Sequence, residues 1–180
     1  MARISYVDEN THPGLAAEIG RIKGARGALI NIYKLLLHSP AIASSWLAHS
    51  NTIRWNTALS PRLRELVIIR IATAAKYAYA LRQHVPSIAL KDGVSLEECE
   101  ALADWRASAF FSAQERAALA YADAMYAGAE VPDAVFEAVR SHFGEREVVE
   151  LTVLIGTYIM HNRVFTALRV DVEPDSGGSA

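Results

Sequence analysis

A short stretch of the chain carries the residues best suited to acid–base chemistry. His84 lies nineteen positions after Glu65, and Tyr77 and Tyr79 lie between them. An imidazole titrates near neutral pH in water, so a histidine can both take up and release a proton during a reaction. A neighbouring carboxylate would hold the ring in one tautomer and stabilise its cationic form. These residue types therefore favour proton transfer on a small carbonyl or carboxyl compound.

The spacing of these residues places a condition on the fold. On an uninterrupted helix, four residues would share one face: Tyr77, Ala80, Leu81 and His84. A straight helix would, however, separate Glu65 from His84 by roughly 28 Å. The two can share a site only if the chain breaks and turns between about Ala72 and Tyr77. Residues 72–80 contain neither Gly nor Pro, so composition alone does not mark such a break.

Each of these residues also has a structural interpretation. His84 lies in a mostly apolar segment, where it could be a hydrogen-bonded, half-buried residue. Glu65 has two arginines close by in the sequence and could pair with Arg62 or Arg64 instead of a distant histidine. Tyr77 and Tyr79 could be packing residues. Both interpretations stay open at the level of the sequence.

Other common catalytic and ligand-binding motifs are absent from the sequence. It contains no Walker loop, no GxGxxG, no HExxH, no GxSxG and no set of Cys and His with metal-binding spacing. We therefore expect neither a metal nor a cofactor. The single cysteine, Cys99, excludes an intrachain disulfide, and the surrounding SLEECEALAD predicts a surface helix in which it has no chemical role.

Length and charge restrict the class of protein. The chain has 180 residues, 52% of them hydrophobic, which predicts a single domain over residues 1–180 with one core. The formal net charge of −2 shows no basic excess, so a nucleic-acid partner is not expected. No apolar run reaches the roughly 20 residues that cross a bilayer, and the N-terminus lacks the apolar core of a secretory signal. These features predict a cytoplasmic protein that does not bind membranes.

The pattern of apolar residues and caps predicts an all-α fold. Ser60 and Pro61 read as an N-cap followed by proline in the first turn. Ser95 with Glu98, and Ser112 with Glu115, fit capping boxes. We predict a bundle of about six to eight helices with its core over residues 14–170 and a mobile tail at 174–180. The predicted helical segments are 14–23, 28–38, 41–57, 61–90 in one or two pieces, and those beginning at 95, 112, 132 and 145.

The central segment resembles a known family. The run LSPRLRELVIIRIATAAKYAYALRQHVPSIALKDGVSLEECEAL is similar to the signature of the carboxymuconolactone decarboxylase and alkylhydroperoxidase D-like family. The preceding LLLHSPAIASSWLAHSNTIRWNTALSPRLREL and the C-terminal IGTYIMHNRVFTALRVDVEPD resemble the segments on either side of that signature. The resemblance covers most of residues 26–173 and implies an alkylhydroperoxidase D-like helical bundle.

The resemblance extends to individual positions. In the redox-active branch of the family the signature is a Glu, a spacer, and then Cys-x-x-Cys-x-x-x-His, with a Tyr before the second Cys. Glu65, Tyr79 and His84 match the Glu, the Tyr and the His. Tyr77 and Ala80 occupy the two cysteine positions, and neither can attack or resolve a disulfide. The chain therefore resembles a branch that lacks the CxxC pair and its peroxidase mechanism.

The non-redox branch implies a lyase that removes a carboxyl group from a small lactone without a metal or an organic cofactor. By that resemblance His84 is the expected acid and base, oriented by Glu65, with Tyr79 in the site and Tyr77 donating a hydrogen bond to the substrate. Residues expected to line the substrate are Ala80, Leu81 and, from the last helix, His161 with Asn162, although His161 could instead belong to the core or to a subunit interface. Either Arg70 or Arg82 could bind a substrate carboxylate.

Two alternatives remain beside the lyase. A non-enzymatic member of the family could bind a small ligand or support assembly, and a peroxidase-type oxidoreductase could act through an external thiol. The final helix is apolar around much of its circumference, which favours burial on several sides. Together with the family's habit of forming trimers or hexamers, this predicts a homo-oligomer whose other partner is a small-molecule substrate or ligand.

Overall fold

The protein is all-α. The computed structural model describes residues 1–173, apart from the side chain of Pro86, and this part of the chain contains nine α-helices and no strand. They are α1 (Ala16–Arg26), α2 (Asn31–Leu36), α3 (Pro40–Trp55), α4 (Pro61–Ala74), α5 (Ala78–His84), α6 (Leu96–Ala101), α7 (Ala113–Ala127), α8 (Asp133–Arg140) and α9 (Glu145–Leu168). The predicted fold class is confirmed, with nine helices against about six to eight expected. The tail predicted to be mobile lies outside the described residues.

Serine caps start three of the helices where the sequence predicts them. The Ser60 hydroxyl accepts a hydrogen bond from the Leu63 amide at 3.2 Å, ahead of the proline that opens α4. Ser95 and Ser112 form complete capping boxes with Glu98 and Glu115. Each cap satisfies amide groups that the first turn of a helix leaves without partners.

The described residues group into two compact units. One contains residues 1–52 and 164–173, and the other is Ile53–Arg163. Within the second unit, apolar residues of α4, α7, α8 and α9 form a core around Leu151, Leu154 and Ile155, which have no exposed surface. Every residue of the candidate site belongs to this second unit. The prediction of a single domain over 1–180 stays a prediction.

The long helical segment after Pro61 breaks where the site requires it. Helix α4 ends at Ala74 and α5 begins at Ala78. Lys76 between them has φ of 52°, a left-handed conformation that no α-helix continues through. The Tyr77 amide donates to the Ala72 carbonyl at 2.9 Å, which closes the turn. The condition that the chain turns between about Ala72 and Tyr77 is confirmed.

Two local predictions differ from the structure. The helix expected over 28–38 is shorter, because Ile30 is extended with ψ of 157° and α2 starts only at Asn31. Cys99 was expected on the surface, but only 7% of it is exposed. It packs with Ala89, Val94 and Leu102, because the inner face of α6 carries it toward the core, while Glu97 and Glu100 of the same helix are exposed.

No helix within residues 1–173 combines the length and the apolar character that crossing a bilayer requires. Helix α9 is the longest described, at 24 residues, and its polar positions interrupt its apolar runs.

Candidate functional site

The turn at Lys76 brings a carboxylate and an imidazole into direct contact. His84 Nδ1 lies 2.5 Å from Glu65 Oε1, although the two residues are nineteen positions apart. Glu65 has no exposed surface, and His84 is 8% exposed. A hydrogen bond to an ionised group in such a buried environment is short and strong. The pairing that the sequence proposed for Glu65 and His84 therefore exists in the fold.

Helix α9 supplies the aromatic surroundings of this pair. The ring of Tyr158 lies edge-on to the His84 ring, with centroids 5.9 Å apart. His161 follows one turn later, and its ring centroid lies 5.2 Å from that of Tyr158. His161 is 7% exposed, so it belongs to the interior of the same unit. The structure thus connects His161 to His84 through Tyr158, a residue that the sequence reasoning did not select.

The remaining predicted site residues lie around α5. Tyr77 caps the N-terminus of this helix and does not continue its face, and its ring centroid lies 6.0 Å from that of Tyr79. Tyr79 and Ala80 are buried, at 4% and 6% exposure. Leu81 packs against the apolar cluster that contains Leu66 and Ile69. The roles proposed for these four residues stay predictions.

A largely enclosed arginine completes the polar cluster. The Nη2 atom of Arg54, at the end of α3, lies 4.0 Å from Glu65 Oε2, and only 13% of the Arg54 side chain is exposed. Its Nη1 donates to the Tyr158 hydroxyl at 3.4 Å. Burial lowers the pKa of Arg54, but Tyr158 and Glu65 outweigh burial, so the net pKa is raised and the group stays cationic. Sequence reasoning missed this residue because it belongs to no motif.

The arginines that the sequence suggested have other roles. The alternative in which Glu65 pairs with Arg62 or Arg64 is wrong. Arg62 binds Glu98 at 2.5 Å and Glu115 at 2.7 Å, while Arg64 donates to the Leu59 carbonyl at 2.7 Å.

Neither arginine proposed as a carboxylate-binding group contacts Glu65 or His84. Arg70 is bound to Asp123 through Nε at 2.6 Å and to the Leu102 carbonyl through Nη1 at 2.9 Å, so these two nitrogens are already engaged. Arg82 is exposed on α5. The cation beside the Glu65–His84 pair is Arg54 instead.

The single thiol is unsuited to redox chemistry. Burial raises the pKa of the Cys99 thiol to about 11, with a further contribution from the nearby charge of Glu65. Since the thiolate is the nucleophile, such a group reacts slowly at neutral pH. Within residues 1–173, no group of three or more His, Cys, Asp or Glu side chains is placed to hold a metal ion.

This arrangement can move a proton. With Glu65 ionised, His84 Nδ1 carries the proton and donates it to Oε1, which leaves the lone pair of Nε2 as the basic site. The carboxylate would then stabilise the imidazolium that forms when Nε2 takes up a proton. A tertiary contact of this kind fixes the base in one tautomer and one orientation, the two properties that general acid–base catalysis requires.

Comparison with known proteins identifies the family. The model of the carboxymuconolactone decarboxylase family matches residues 40–124, a range that includes Glu65 and His84. The uncharacterized protein YdfG of Bacillus subtilis (strain 168) is 30% identical over 107 residues, which cover 58% of this chain and 72% of YdfG. The chain belongs to the carboxymuconolactone decarboxylase family.

A second relative and several solved structures agree with this membership. The uncharacterized protein YnjA of Escherichia coli (strain K12) is 33% identical over 121 residues, 67% of this chain and just under two thirds of YnjA, at 66%. ATU0492 of Agrobacterium tumefaciens, a protein of unknown function, is 29% identical with a TM-score of 0.72 over 78% of this chain and 97% of its own. The debrominase Bmp8 has a TM-score of 0.79 at 20% identity over 96% of this chain and 94% of its own, which shows a shared fold alone.

Proposed function

We propose that this member of the carboxymuconolactone decarboxylase family is a cofactor-free, decarboxylase-like lyase. Its substrate would be a small carboxylated lactone or keto acid, and His84 would move the proton. The observation that carries the proposal is the 2.5 Å contact between His84 Nδ1 and Glu65 Oε1 inside a buried part of the fold. A buried carboxylate beside an imidazole is a costly arrangement, and such sites are concentrated at functional positions.

The proposed reaction needs only the residues that surround His84. The bond between carbon and the substrate carboxylate breaks, carbon dioxide leaves, and the electron pair moves to a conjugated carbonyl as an enolate. The His84 imidazolium then returns a proton to carbon, and solvent reprotonates Nε2 for the next cycle. Glu65 stabilises the imidazolium during the cycle, and Tyr77 would donate a hydrogen bond to the developing enolate oxygen.

Turnover of a compound panel tests this proposal. Carboxylated γ-lactones and β-keto acids are incubated with the protein in deuterium oxide, and proton spectra report decarboxylation and exchange of C–H for C–D. We expect His84→Gln to lower the rate by about a hundredfold or more, the usual contribution of a general acid or base. His142→Gln is the matched control, because His142 is exposed in the same unit and lies in no site.

The outcomes separate the competing functions. Wild-type turnover in His84→Gln, with an unchanged circular dichroism spectrum, contradicts the proposed role of this residue. Binding of panel compounds without conversion would favour the alternative of a non-enzymatic ligand-binding protein. Peroxide consumption that persists in Cys99→Ser would favour the alternative of an oxidoreductase acting through an external thiol.

The proposed enzyme is a homo-oligomer in the cytoplasm, a trimer or a hexamer. The support comes from α9, where Val149, Val153 and Met160 are 62%, 40% and 41% exposed. They recur at spacings of four and seven residues and so form one apolar stripe on the helix. Light scattering on a gel-filtration column measures the mass of the assembly, and a monomer at micromolar concentration contradicts this part of the proposal.

A further inference from the structure

Arg54 is a largely enclosed cation, 13% exposed, with unused hydrogen-bonding capacity. A guanidinium carries five N–H donors, and no Arg54 nitrogen is among the fully buried atoms that lack a hydrogen-bond partner, so its remaining donors are in contact with solvent. Within the described chain, Arg54 donates one hydrogen bond, to the Tyr158 hydroxyl, at the long distance of 3.4 Å. Its approach to Glu65 Oε2, at 4.0 Å, is too long for a hydrogen bond. Most of its donors therefore remain available.

Two other enclosed arginines of the same unit differ from Arg54 in the length of their hydrogen bonds. Arg64 donates to the Leu59 carbonyl at 2.7 Å. Arg70 donates to the Asp123 carboxylate at 2.6 Å and to the Leu102 carbonyl at 2.9 Å. Both are held by short hydrogen bonds to neighbouring elements, as structural arginines normally are. Arg54 is equally enclosed but lacks such a partner, so its position is not explained by what it holds in place.

The Arg54 guanidinium lies next to the Glu65–His84 pair. The carboxylate of Glu65 faces His84 with Oε1 and Arg54 with Oε2. Arg54 and His84 also both contact Tyr158, so a substrate carboxylate on the guanidinium would lie close to the proposed proton-transfer group. The Arg54 guanidinium carbon also lies over the ring of Trp55, 5.1 Å from the ring centroid, and Trp55 is 61% exposed.

We propose that Arg54 is the substrate-binding residue that selects for a carboxylate. It would hold a carboxylate group of the substrate by a two-pronged hydrogen bond while His84 acts on a neighbouring carbon. The inference rests on the proposed function for the identity of the reaction, but the binding step can be tested without turnover. It replaces Arg70 and Arg82, the residues that the sequence suggested for this role.

Tyr158 is the positioning residue of this arrangement. Its hydroxyl accepts the hydrogen bond from Arg54, and its ring packs edge-on against His84. One side chain thus contacts both the proposed carboxylate-binding group and the proposed base. Loss of the hydroxyl in Tyr158→Phe should loosen Arg54 and leave the ring packing against His84 intact.

A matched pair of ligands tests the proposal by binding alone. Paraconic acid, a γ-butyrolactone with one carboxyl group, and its uncharged methyl ester are titrated calorimetrically into the wild-type protein. We expect the acid to bind more tightly than the ester by about tenfold to a hundredfold, as charge-assisted hydrogen bonds to a guanidinium provide. Arg54→Gln should abolish this preference, and Arg82→Gln, which removes an exposed guanidinium on α5, should keep it.

Two further variants keep the test decisive. Arg54→Lys retains the charge but not the planar fork, so it should keep a reduced preference and serves if Arg54→Gln does not fold. Tyr158→Phe should also reduce the preference for the acid, while the affinity for the ester changes little. His84→Gln should retain the preference, because the base is not the carboxylate-binding group.

Three results overturn the proposal: equal binding of acid and ester by the wild type, no binding of the acid at millimolar concentration, or an unchanged preference in Arg54→Gln. Failure of the lyase function gives a different result. In that case the wild type converts none of the panel compounds, but the preference for the acid and its dependence on Arg54 persist.

Discussion

The carboxylates of Asp123 and Glu65 differ in how completely they are hydrogen-bonded. Asp123 accepts hydrogen bonds from Arg70 at 2.6 Å, from Arg106 at 2.8 Å and from the Trp105 indole at 3.1 Å, so both of its oxygens are occupied. Glu65 is more deeply buried, yet among the described residues only its Oε1 accepts a hydrogen bond. The first carboxylate joins α4 to α7. The second is expensive to bury and incompletely satisfied.

The difference separates a structural ion pair from a candidate site. A fully hydrogen-bonded carboxylate contributes to stability, whereas an incompletely paired one at zero exposure costs stability. We attribute the presence of this costly carboxylate to the proposed proton transfer, because Glu65 lies beside His84 and Arg54. The same chemical change, carboxylate to carboxamide, can be made at both positions and should give opposite results.

The largest effect is expected for Asp123→Asn. The amide presents only one acceptor, so Arg70 is left half-buried without its counter-charge. We expect the free energy of unfolding to fall by about 3 kcal/mol, the usual cost of breaking a buried pair. Urea unfolding measures the loss, and turnover per folded molecule should not change. Arg106→Ala is the control, because Arg106 is 60% exposed and should cost at most about 1 kcal/mol.

Glu65→Gln should show the reverse pattern. The amide oxygen can still accept from His84 Nδ1, and the cost of burying an ion disappears, so the free energy of unfolding should change by about 1 kcal/mol or less. Turnover should fall by about a hundredfold because the imidazolium loses its counter-charge. A large loss of stability with normal turnover would make Glu65 a second structural carboxylate and remove the contrast with Asp123.

Acid should reveal the electrostatic contribution of Asp123. Burial raises its pKa, but the hydrogen bonds from Arg70, Arg106 and Trp105 outweigh burial, and the net pKa is lowered. A lowered pKa in the folded state gives stability that is present above the unfolded-state pKa and lost as the pH falls through the folded-state pKa. The stability difference between wild type and Asp123→Asn should therefore be constant near neutrality and shrink below about pH 4. A constant difference down to pH 2 would mean that Asp123 stabilises the fold by packing and not by its charge.

The sequence predicted most of the helices and, within the site, the Glu65–His84 pair. The helix starts could be predicted because the serine caps at Ser60, Ser95 and Ser112 depend on residues only three positions apart. The Glu65–His84 contact was accessible only through the family signature, because residues 72–80 lack a helix-breaking residue. Arg54 could not be predicted, since its contacts with Glu65 and Tyr158 join residues distant in the sequence. Cys99 was misplaced for the same reason: the inward face of a short helix depends on its neighbours.

The smallest change in stability is expected at Lys76, in the turn that brings His84 to Glu65. Lys76 holds φ of 52°, which costs an L-residue with a side chain roughly 1 kcal/mol, and its amide donates to the Thr73 carbonyl at 3.0 Å. Lys76→Gly removes that strain but gives the unfolded chain more freedom, so a net gain of up to about 0.5 kcal/mol is expected, with unchanged turnover. Lys76→Pro is the informative partner, because proline cannot adopt a positive φ and has no amide to donate. It should abolish turnover by separating His84 from Glu65, while the Arg70–Asp123 pair, which lies entirely within α4 and α7, keeps those two helices joined. If Lys76→Pro retained turnover, the proton-transfer chemistry would not depend on the Glu65–His84 contact, and the incompletely paired carboxylate would need another explanation.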